Sequence, residues 1–204
     1  MSFYKIARVV VKGLFHIAFR IKAEGRENIP KGENFVVCAN HKSVLDPILL
    51  GIMLPFDFRF MAKEELFKNK LFGGILSAVG AFPVKRNTGD IGALKISIKT
   101  LEEGKSLAVF PEGTRSPEGY MNKGKAGAAL IATKTKVNIL PVGIEGKYKA
   151  FGKLTVKIGT PIQLSEYFGQ KNSSEVLQDI TDNRLMVAIS ELSGVPTYES
   201  RDSK

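Results

Sequence analysis

Residues 35–47 read FVVCANHKSVLDP, and they contain the three parts of a strand–loop–helix unit. Residues 35–39 are uniformly apolar, which is typical of a strand that is buried on both faces of a parallel sheet. Asp46 and Pro47 indicate a helix start, because Asp caps the first amides of a helix and Pro fits its first turn. The loops that follow parallel strands bind ligands in α/β proteins, so residues 40–45 are a candidate site.

The same alternation of apolar runs and helical patterns extends along the rest of the chain. We predict further strands at 58–62, 78–84, 106–110, 137–144 and 154–158. We predict further helices at 64–77, 90–104, 123–135 and 173–192. Because strands alternate with helices, the pattern predicts a single-domain α/β fold, an αβα sandwich with a largely parallel mixed sheet. This domain is expected over residues 23–197, after an amphipathic helix at 1–22 and before a frayed tail at 198–204.

The chain is basic, since its 204 residues include 30 Lys and Arg but only 20 Asp and Glu, giving a formal net charge of +10. The positive excess lies within residues 1–157, while residues 158–204 have more acidic than basic side chains. This charge predicts an anionic partner, which can be nucleic acid, a membrane surface or a phosphorylated substrate. Cys38 is the only cysteine, and His16 and His41 are the only histidines. These counts exclude an internal disulfide framework and a multi-cysteine metal site, and we expect no metal.

Residues 1–21 combine a basic stripe and an apolar stripe with helical spacing. The basic stripe consists of Arg8, Lys12, His16 and Arg20, and the apolar stripe of Phe3, Ile6, Val10, Leu14, Ile17 and Ile21. This pattern favours an amphipathic helix in the headgroup region of a membrane; the alternative is a helix packed on the domain's own core. The charges also interrupt any signal-peptide core. The longest uncharged run, residues 71–84, is shorter than the roughly 20 residues that a membrane-spanning helix needs.

His41 and Asp46 are five residues apart, beginning in the first predicted loop. Histidine titrates near pH ~6.5 and is the natural general base for a hydroxyl, and a carboxylate at this spacing can fold back to its ring. The pair resembles a serine triad without its serine, so the substrate's own alcohol would be the nucleophile. The alternative is a helix cap at Asp46 beside an ordinary loop histidine. A thiol nucleophile at Cys38 is less favoured, because a cysteine within a strand is usually buried.

Further polar and cationic residues cluster near the ends of other predicted strands. The sequence FPEGTRS occupies residues 110–116, where a Pro and a Gly indicate a tight turn and Glu112 and Arg115 would project from the strand end. A guanidinium there can bind a phosphate with two hydrogen bonds. The other cations are Lys85 and Arg86 after the strand at 78–84, and Lys123 and Lys125 beside Gly124. Together they favour an anion-binding pocket; the alternatives are a surface turn and ordinary solvated charges.

Four short elements occur in the order of the four motifs of the glycerolipid acyltransferases. They are H-x-x-x-x-D at His41 and Asp46, a strand ending in Arg86, FPEGTRS at 110–116, and ILPV at 139–142. Residues 35–145 therefore resemble this family, in particular the bacterial 1-acyl-sn-glycerol-3-phosphate acyltransferases. Two positions differ from the usual pattern: Pro83 stands where an aromatic or aliphatic residue is common, and Met121-Asn122 stands where Phe-Lys is common.

The resemblance implies a reaction and assigns roles to particular residues. His41 would deprotonate the sn-2 hydroxyl of a lysophosphatidic acid, Asp46 would orient His41, and the alkoxide would attack an acyl thioester directly. The residues expected to bind the acceptor are Arg86, Glu112, Gly113, Thr114 and Arg115, with Lys85 and Lys123 as auxiliaries. Backbone amides around Gly113 are a candidate oxyanion hole. No cofactor is expected. The acyl donor, which is acyl-CoA or acylated acyl carrier protein (acyl-ACP), is a co-substrate.

The partners that the resemblance implies are lysophosphatidic acid, acyl-CoA or acyl carrier protein, and an anionic membrane surface. The enzyme would lie peripherally on the cytoplasmic face of the cell membrane, without a transmembrane span. One alternative keeps the family but changes the acceptor to another lysolipid or to glycerol phosphate. Another is a basic, non-catalytic protein that binds a membrane surface or nucleic acid. We expect no nucleic acid, since the sequence contains no recognition helix or basic and aromatic module.

Overall fold

A computed structural model of the chain describes residues 3–85, 90–116 and 119–198. Its seven-stranded sheet consists of β1 Arg20–Glu24, β2 Val36–Ala39, β3 Phe58–Lys63, β4 Ala81–Val84, β5 Ser106–Val109, β6 Ile139–Gly146 and β7 Lys153–Ile158. The strand order is β1-β7-β6-β2-β5-β3-β4. Every neighbouring pair is parallel except β6 and β7, which are antiparallel. The prediction of an α/β fold with a largely parallel mixed sheet is confirmed.

Helices cover both faces of this sheet. They are α1 Phe3–Ala18, α2 Asp46–Met53, α3 Lys70–Ala78, α4 Ile91–Glu102, α5 Gly127–Thr135, α6 Ser174–Asp179 and α7 Val187–Ser193, with a π-helical segment at Ile180–Met186. Side chains alternate along β2, so Val37 and Ala39 pack on the side of α1 and α2, while Val36 and Cys38 pack on the side of α4, α5 and α7. All four are fully buried, which explains the uninterrupted apolar run. The arrangement is the predicted αβα sandwich.

The structure differs from the sequence prediction at the first strand. The prediction extends the N-terminal helix through Ile21, but α1 ends at Ala18 and β1 follows, pairing in parallel with β7. Ile21 is buried whereas Arg20 and Lys22 are exposed, which is the alternation of a strand at a sheet edge. Over so few residues this alternation also fits the helical spacing from Ile17 to Ile21, so the sequence does not separate the two.

Two predicted helices begin later than the sequence indicates. Residues Glu64–Phe67 form a 3-10 turn, and α3 begins at Lys70. The helix α5 begins at Gly127, because the segment before it is held as a loop: the amide of Lys125 donates to the carbonyl of Pro111 over 2.9 Å. The predicted C-terminal helix is confirmed, and the π-helical segment lies within it.

The N-terminal helix α1 packs on the domain and also presents an apolar surface to solvent. Phe15 is buried and Phe19 is half-buried against the core on the α2 side of the sheet. Val9, Leu14 and Ile17 are instead 70%, 59% and 72% exposed. The core-packing alternative therefore describes one side of the helix, the other side is an exposed apolar surface, and membrane contact stays a prediction. Within the described ranges, no helix combines the length and apolar character needed to cross a membrane.

The neighbouring strands β2 and β5 lead to opposite faces of the sheet. The strand β2 continues into α2 on one face, whereas the chain after β5 continues to α5 on the other face. Such a divergence creates a crevice at the carboxyl ends of the strands, where α/β proteins bind ligands. The loops at 40–45 and 110–116 meet there, since the amide of Ser116 donates to the carbonyl of His41 over 2.8 Å.

Candidate active site

His41 and Asp46 lie side by side beyond the carboxyl end of β2. Nδ1 of His41 is 2.8 Å from Oδ2 of Asp46, and both residues are buried, His41 being 8% exposed and Asp46 fully enclosed. A carboxylate in this position favours the tautomer in which Nδ1 carries the hydrogen. Nε2, on the other side of the ring, is then the nitrogen that can accept a proton from a substrate hydroxyl. The structure thus contains the pairing that the sequence spacing predicts.

Asp46 is the first residue of α2, yet its carboxylate does not cap that helix. Its Oδ2 accepts hydrogen bonds of 2.7 Å from the amides of Lys42 and Ser43, which precede it in the chain. Its Oδ1 accepts a hydrogen bond of 2.7 Å from the hydroxyl of Tyr148. The helix-cap alternative is therefore wrong, because the carboxylate turns back into the loop. These bonds hold it against His41 and explain the spacing between the two residues.

Glu112 joins the His41 loop to the loop that follows β5. Its Oε1 accepts the amide of His41 at 2.8 Å, and its Oε2 accepts the amide of Asn122 at 2.7 Å. The side chain is buried, and this burial raises the pKa of Glu112 to about 7, against the opposing effect of the two amide hydrogen bonds. The expectation that Glu112 projects outward from the strand end is wrong, while its role in binding the acceptor stays a prediction. Its two oxygens are bonded to backbone amides, so it positions His41.

Two other residues of the FPEGTRS sequence, Phe110 and Ser116, contact the ring and the backbone of His41. Phe110 stacks on the imidazole ring, with ring centroids 4.1 Å apart and planes inclined by 22°. The carbonyl of His41 accepts the amide of Ser116 at 2.8 Å, while its own amide is bonded to Glu112. Residues 110–116 therefore fix both the ring plane and the backbone of His41, which is a role that their sequence did not predict.

The exposed part of the same sequence is the turn after Glu112. Gly113 has a φ of 71°, a left-handed conformation that favours glycine. Its amide donates to the carbonyl of Phe110 at 3.0 Å and closes the turn, so this amide is not available to an oxyanion, and an oxyanion hole at the other amides around Gly113 stays a prediction. Thr114 and Arg115 are exposed. A Cβ atom added to Gly113 would lie 3.1 Å from Nζ of Lys125, so the Lys125 ammonium lies over this turn.

The other predicted anion ligands are Arg86, Lys85 and Lys123. Arg86 lies outside the described residues. Lys85 is exposed after β4, which is three strands from β2, or about 14 Å at the usual spacing between strands. Lys123 is exposed and lines a shallow pocket beside the C-terminal helices. Among the described cations, Arg115 belongs to the FPEGTRS turn and Lys125 lies over it, while Lys123 directly follows Asn122, whose amide is bonded to Glu112.

Two side chains that the sequence did not single out anchor the His41 loop to β6. Asn40 bonds twice to the backbone of Ile144, its Oδ1 accepting the amide at 2.7 Å and its Nδ2 donating to the carbonyl at 3.1 Å. Lys42 donates from Nζ to the carbonyls of Ile144 at 2.8 Å and Gly146 at 2.6 Å, and burial lowers the pKa of Lys42. Both residues are adjacent to His41 and directly follow a buried strand. This position in the sequence could have indicated their role as anchors of the loop.

Tyr148 is the third supporting side chain, and no sequence signal indicates it. It lies in the loop after β6, 102 positions from Asp46, whose carboxylate it contacts. Burial raises the pKa of the Tyr148 hydroxyl, and the nearby Asp46 carboxylate raises it further, so the hydroxyl stays a donor. Only the pairing of β6 with β2 brings it to the site.

The thiol alternative to a histidine base depends on whether Cys38 is accessible. Cys38 is fully buried within β2, and burial raises the pKa of its thiol, so the thiol alternative is excluded. In the part of the chain that the structure describes, no three His, Cys, Asp or Glu side chains are grouped so that they could hold a metal ion. His41, with Nδ1 beside the Asp46 carboxylate, is therefore the candidate base.

The motifs of this site coincide with those of a known protein family. The family model described as Acyltransferase matches residues 20–145, which include the His41 loop and the FPEGTRS sequence. The chain belongs to the acyltransferase family. The match begins at β1 and ends within β6, so it contains every strand except β7.

Individual acyltransferases are similar over most of their length. The 1-acyl-sn-glycerol-3-phosphate acyltransferase of Bacillus subtilis (strain 168) is 33% identical over 185 residues, which cover 88% of this chain and 92% of that protein. The Streptococcus pneumoniae protein of the same name is 33% identical over 199 residues, covering 93% and 73%. The crystal structure of the 1-acyl-sn-glycerophosphate (LPA) acyltransferase PlsC from Thermotoga maritima has a TM-score of 0.72 and 31% identity, covering 93% of this chain and 79% of that one. The predicted family, the fold and an acyltransferase activity are confirmed.

Proposed function

We propose that this acyltransferase moves a fatty acyl group from an acyl thioester to the sn-2 hydroxyl of 1-acyl-sn-glycerol-3-phosphate, giving phosphatidic acid. The observation that carries the proposal is the 2.8 Å contact between His41 Nδ1 and Asp46 Oδ2 in the crevice at the strand ends. The names of the similar proteins from Bacillus subtilis and Streptococcus pneumoniae support the choice of acceptor.

The reaction needs one base and no covalent enzyme intermediate. Nε2 of His41 takes the proton of the acceptor hydroxyl, and the Asp46 carboxylate stabilises the imidazolium that forms. The alkoxide attacks the thioester carbonyl and forms a carbon–oxygen bond. The tetrahedral intermediate then collapses, the carbon–sulfur bond breaks, and the thiolate leaves with the proton that His41 returns. The enzyme ends in its starting state.

The acceptor phosphate requires cations at a fixed distance from His41. Arg115 and Lys125 meet this requirement, because Arg115 precedes Ser116, whose amide is bonded to the His41 carbonyl, and Lys125 lies over Gly113. Arg115 offers a planar guanidinium that fits two phosphate oxygens. Arg86 and Lys85, at the end of β4, remain candidates for a second contact along the acceptor or the donor.

The donor is an acyl thioester, acyl-CoA or acyl-ACP, and both carry anionic groups that suit a chain with a net charge of +10. The acceptor is a membrane lipid, so we place the enzyme peripherally on the cytoplasmic face of the cell membrane. The exposed side chains Val9, Leu14 and Ile17 of α1 support contact with the bilayer. The crevice at the strand ends can then bind an acceptor that remains in the membrane.

Purified protein tests the proposal directly. Incubated with detergent-solubilised lysophosphatidic acid and either donor, the wild type should produce phosphatidic acid, and His41→Ala should lose about 10²–10⁴-fold in kcat. His16→Ala is the matched control, because His16 is the only other histidine and lies exposed on α1. Full activity of a folded His41→Ala variant would show that another group is the base.

An acceptor panel separates this function from its alternative within the family. With one donor, lysophosphatidic acid should be acylated faster than lysophosphatidylcholine or glycerol 3-phosphate, because the acceptor then has both a free phosphate and an acyl chain. A preference for glycerol 3-phosphate would favour the alternative acceptor. Comparing acyl-CoA with acyl-ACP in the same assay identifies the donor.

A further inference from the structure

The loop between β6 and β7 holds a phenylalanine in an unusual conformation. Phe151 is 71% exposed and has a φ of 58°, in the left-handed region where a bulky residue is strained. Among the described residues other than glycine, Lys136 alone shares a positive φ, and it ends α5 in the usual capping conformation. The next residue, Gly152, is outside the left-handed region. The strained backbone conformation therefore falls on Phe151, whose ring is exposed, and not on the adjacent glycine, which would adopt it without strain. This placement indicates a function for the ring.

This loop is fixed to the C-terminal end of α1. The amide of Phe151 donates to the carbonyl of Ala18 over 2.7 Å, and the amide of Arg20 donates to the carbonyl of Gly152 over 2.9 Å. Within the loop, the amide of Gly152 donates to the carbonyl of Lys149 over 2.8 Å. The phenyl ring is thus presented by a hydrogen-bonded turn and not by a free segment of chain.

Exposed apolar side chains of α1 come shortly before Ala18, the residue to which the Phe151 amide is bonded. Ile17 directly precedes Ala18, and Leu14 lies one helical turn earlier on the same side. Ile17 is 72% and Leu14 is 59% exposed. We call Leu14, Ile17 and Phe151 the apolar tip. The bond between Phe151 and Ala18 brings these three large apolar side chains to the same end of α1, and each is open to solvent. Such exposure indicates a surface that a membrane or another molecule covers.

The charges around the apolar tip indicate what covers it. The exposed cations on the flanking segments are Arg20, Lys147, Lys149 and Lys153. The acidic side chains of the adjoining strands are paired, Glu24 with Lys22 and Glu145 with Lys157, each at 3.0 Å. An apolar tip flanked by cations is complementary to an anionic bilayer, in which the rings enter the acyl region while the cations meet the phosphates.

We propose that the apolar tip inserts into an anionic phospholipid bilayer, so that the loop carrying Phe151 is a second membrane contact in addition to α1. This inference rests on the proposed function, and it adds an orientation of the enzyme on the membrane. The loop that carries Phe151 also carries Tyr148, whose hydroxyl is bonded to Asp46 at 2.7 Å. Insertion of Phe151 therefore holds the His41–Asp46 pair at a fixed place relative to the lipid surface from which the acceptor comes.

Sedimentation with vesicles of phosphatidylcholine and phosphatidylglycerol tests the proposal on the full chain. Phe151→Gly removes the ring and also the strain, so the partition coefficient should fall about tenfold while the thermal midpoint stays equal or rises. Phe151→Leu keeps an apolar side chain and should partition within about twofold of the wild type. Lys149→Gln should lose about fivefold on these vesicles and nothing on phosphatidylcholine alone.

Val187→Ser is the matched control, because Val187 is exposed on α7, on the other face of the sheet. It should leave partitioning unchanged. Wild-type partitioning of Phe151→Gly would overturn the assignment to lipid and leave a protein partner as the occupant of the tip. A fall in the partition coefficient of Val187→Ser equal to that of Phe151→Gly would overturn the assignment as well. Partitioning needs no turnover, so this result is independent of the His41→Ala assay that tests the reaction.

Discussion

The hydroxyl of Tyr148 donates to Oδ1 of Asp46 at 2.7 Å, while Oδ2 of the same carboxylate lies 2.8 Å from Nδ1 of His41. The Tyr148 hydroxyl, the Asp46 carboxylate and the His41 imidazole thus form a chain of contacts that starts in the loop after β6. Asp46 is fully buried, so each oxygen must be bonded within the protein. Tyr148 therefore occupies Oδ1 while Oδ2 faces His41, and we propose that Tyr148 is a positioning residue for the proposed base.

Tyr148→Phe tests this relationship. The variant leaves Oδ1 of Asp46 buried without its donor, while the amides of Lys42 and Ser43 still hold Oδ2. The carboxylate is then held less firmly against His41, so we expect kcat to fall about tenfold, equivalent to about 1.4 kcal/mol. The acceptor KM should change by less than about twofold, since the phosphate contacts are intact. The phenyl ring still packs edge-on against Phe19, whose centroid is 5.7 Å away. Tyr198→Phe, at the end of the described chain, is the control and should have wild-type kinetics. A rise in KM with unchanged kcat would contradict the positioning role.

Glu112 makes stability depend on pH. Burial raises its pKa from 4.5 to about 7, so between these values the folded protein holds a proton that the unfolded chain has released. The stabilising contribution of this proton is complete below pH 4.5 and is lost as the pH rises through 7. Relative to Glu112→Gln, the wild-type free energy of unfolding should therefore decline between pH 5 and 8, by at most about 3 kcal/mol. Urea unfolding at several pH values measures this difference, and a difference that is constant with pH would contradict it.

Residues whose role follows from their neighbours in the chain could be predicted from the sequence. The strand β2 is buried on both faces, so its apolar run is unambiguous, and His41 follows it within two residues. The spacing of Asp46 also suffices for pairing with His41, because the loop between them is short. By contrast, β1 is an edge strand of alternating exposure, and over five residues its pattern is also that of a helix.

Residues whose role depends on long-range packing could not be assigned in this way. Glu112 stands in an exposed-looking turn of the sequence, but its carboxylate is directed inward to amides 71 positions and 10 positions away. Tyr148 reaches Asp46 only because β6 pairs with β2. A sequence pattern describes burial within one element, and these contacts join separate elements, so the roles of Glu112 and Tyr148 require the structure.

Arg115→Ala tests the phosphate site. Loss of a bidentate guanidinium contact costs about 1.5–3 kcal/mol, so the apparent acceptor KM should rise about 10–100-fold while kcat stays within about threefold. Lys123→Ala is the comparison variant, because Lys123 lines a pocket beside the C-terminal helices and should alter KM less than about threefold. Steady-state kinetics with lysophosphatidic acid in detergent measure both variants. If Lys123→Ala raised the acceptor KM more than Arg115→Ala, the acceptor phosphate would lie nearer to Lys123 than to Arg115.

Gly143→Ala tests how closely α7 packs on the sheet that carries the site. Gly143 is in the middle of β6, and a Cβ atom there would lie 2.5 Å from the amide nitrogen of Ser193 and in contact with the backbone of Leu192. Backbone atoms cannot move aside as a flexible side chain does, so we expect a loss of about 3 kcal/mol in the free energy of unfolding. Gly51→Ala is the matched control, because Gly51 lies inside α2 with nothing within 4 Å of an added Cβ. Its helix propensity improves, so that variant should gain about 0.5–1 kcal/mol. Urea unfolding measures both, and a stable Gly143→Ala protein would mean that α7 lies farther from β6 than the structure shows.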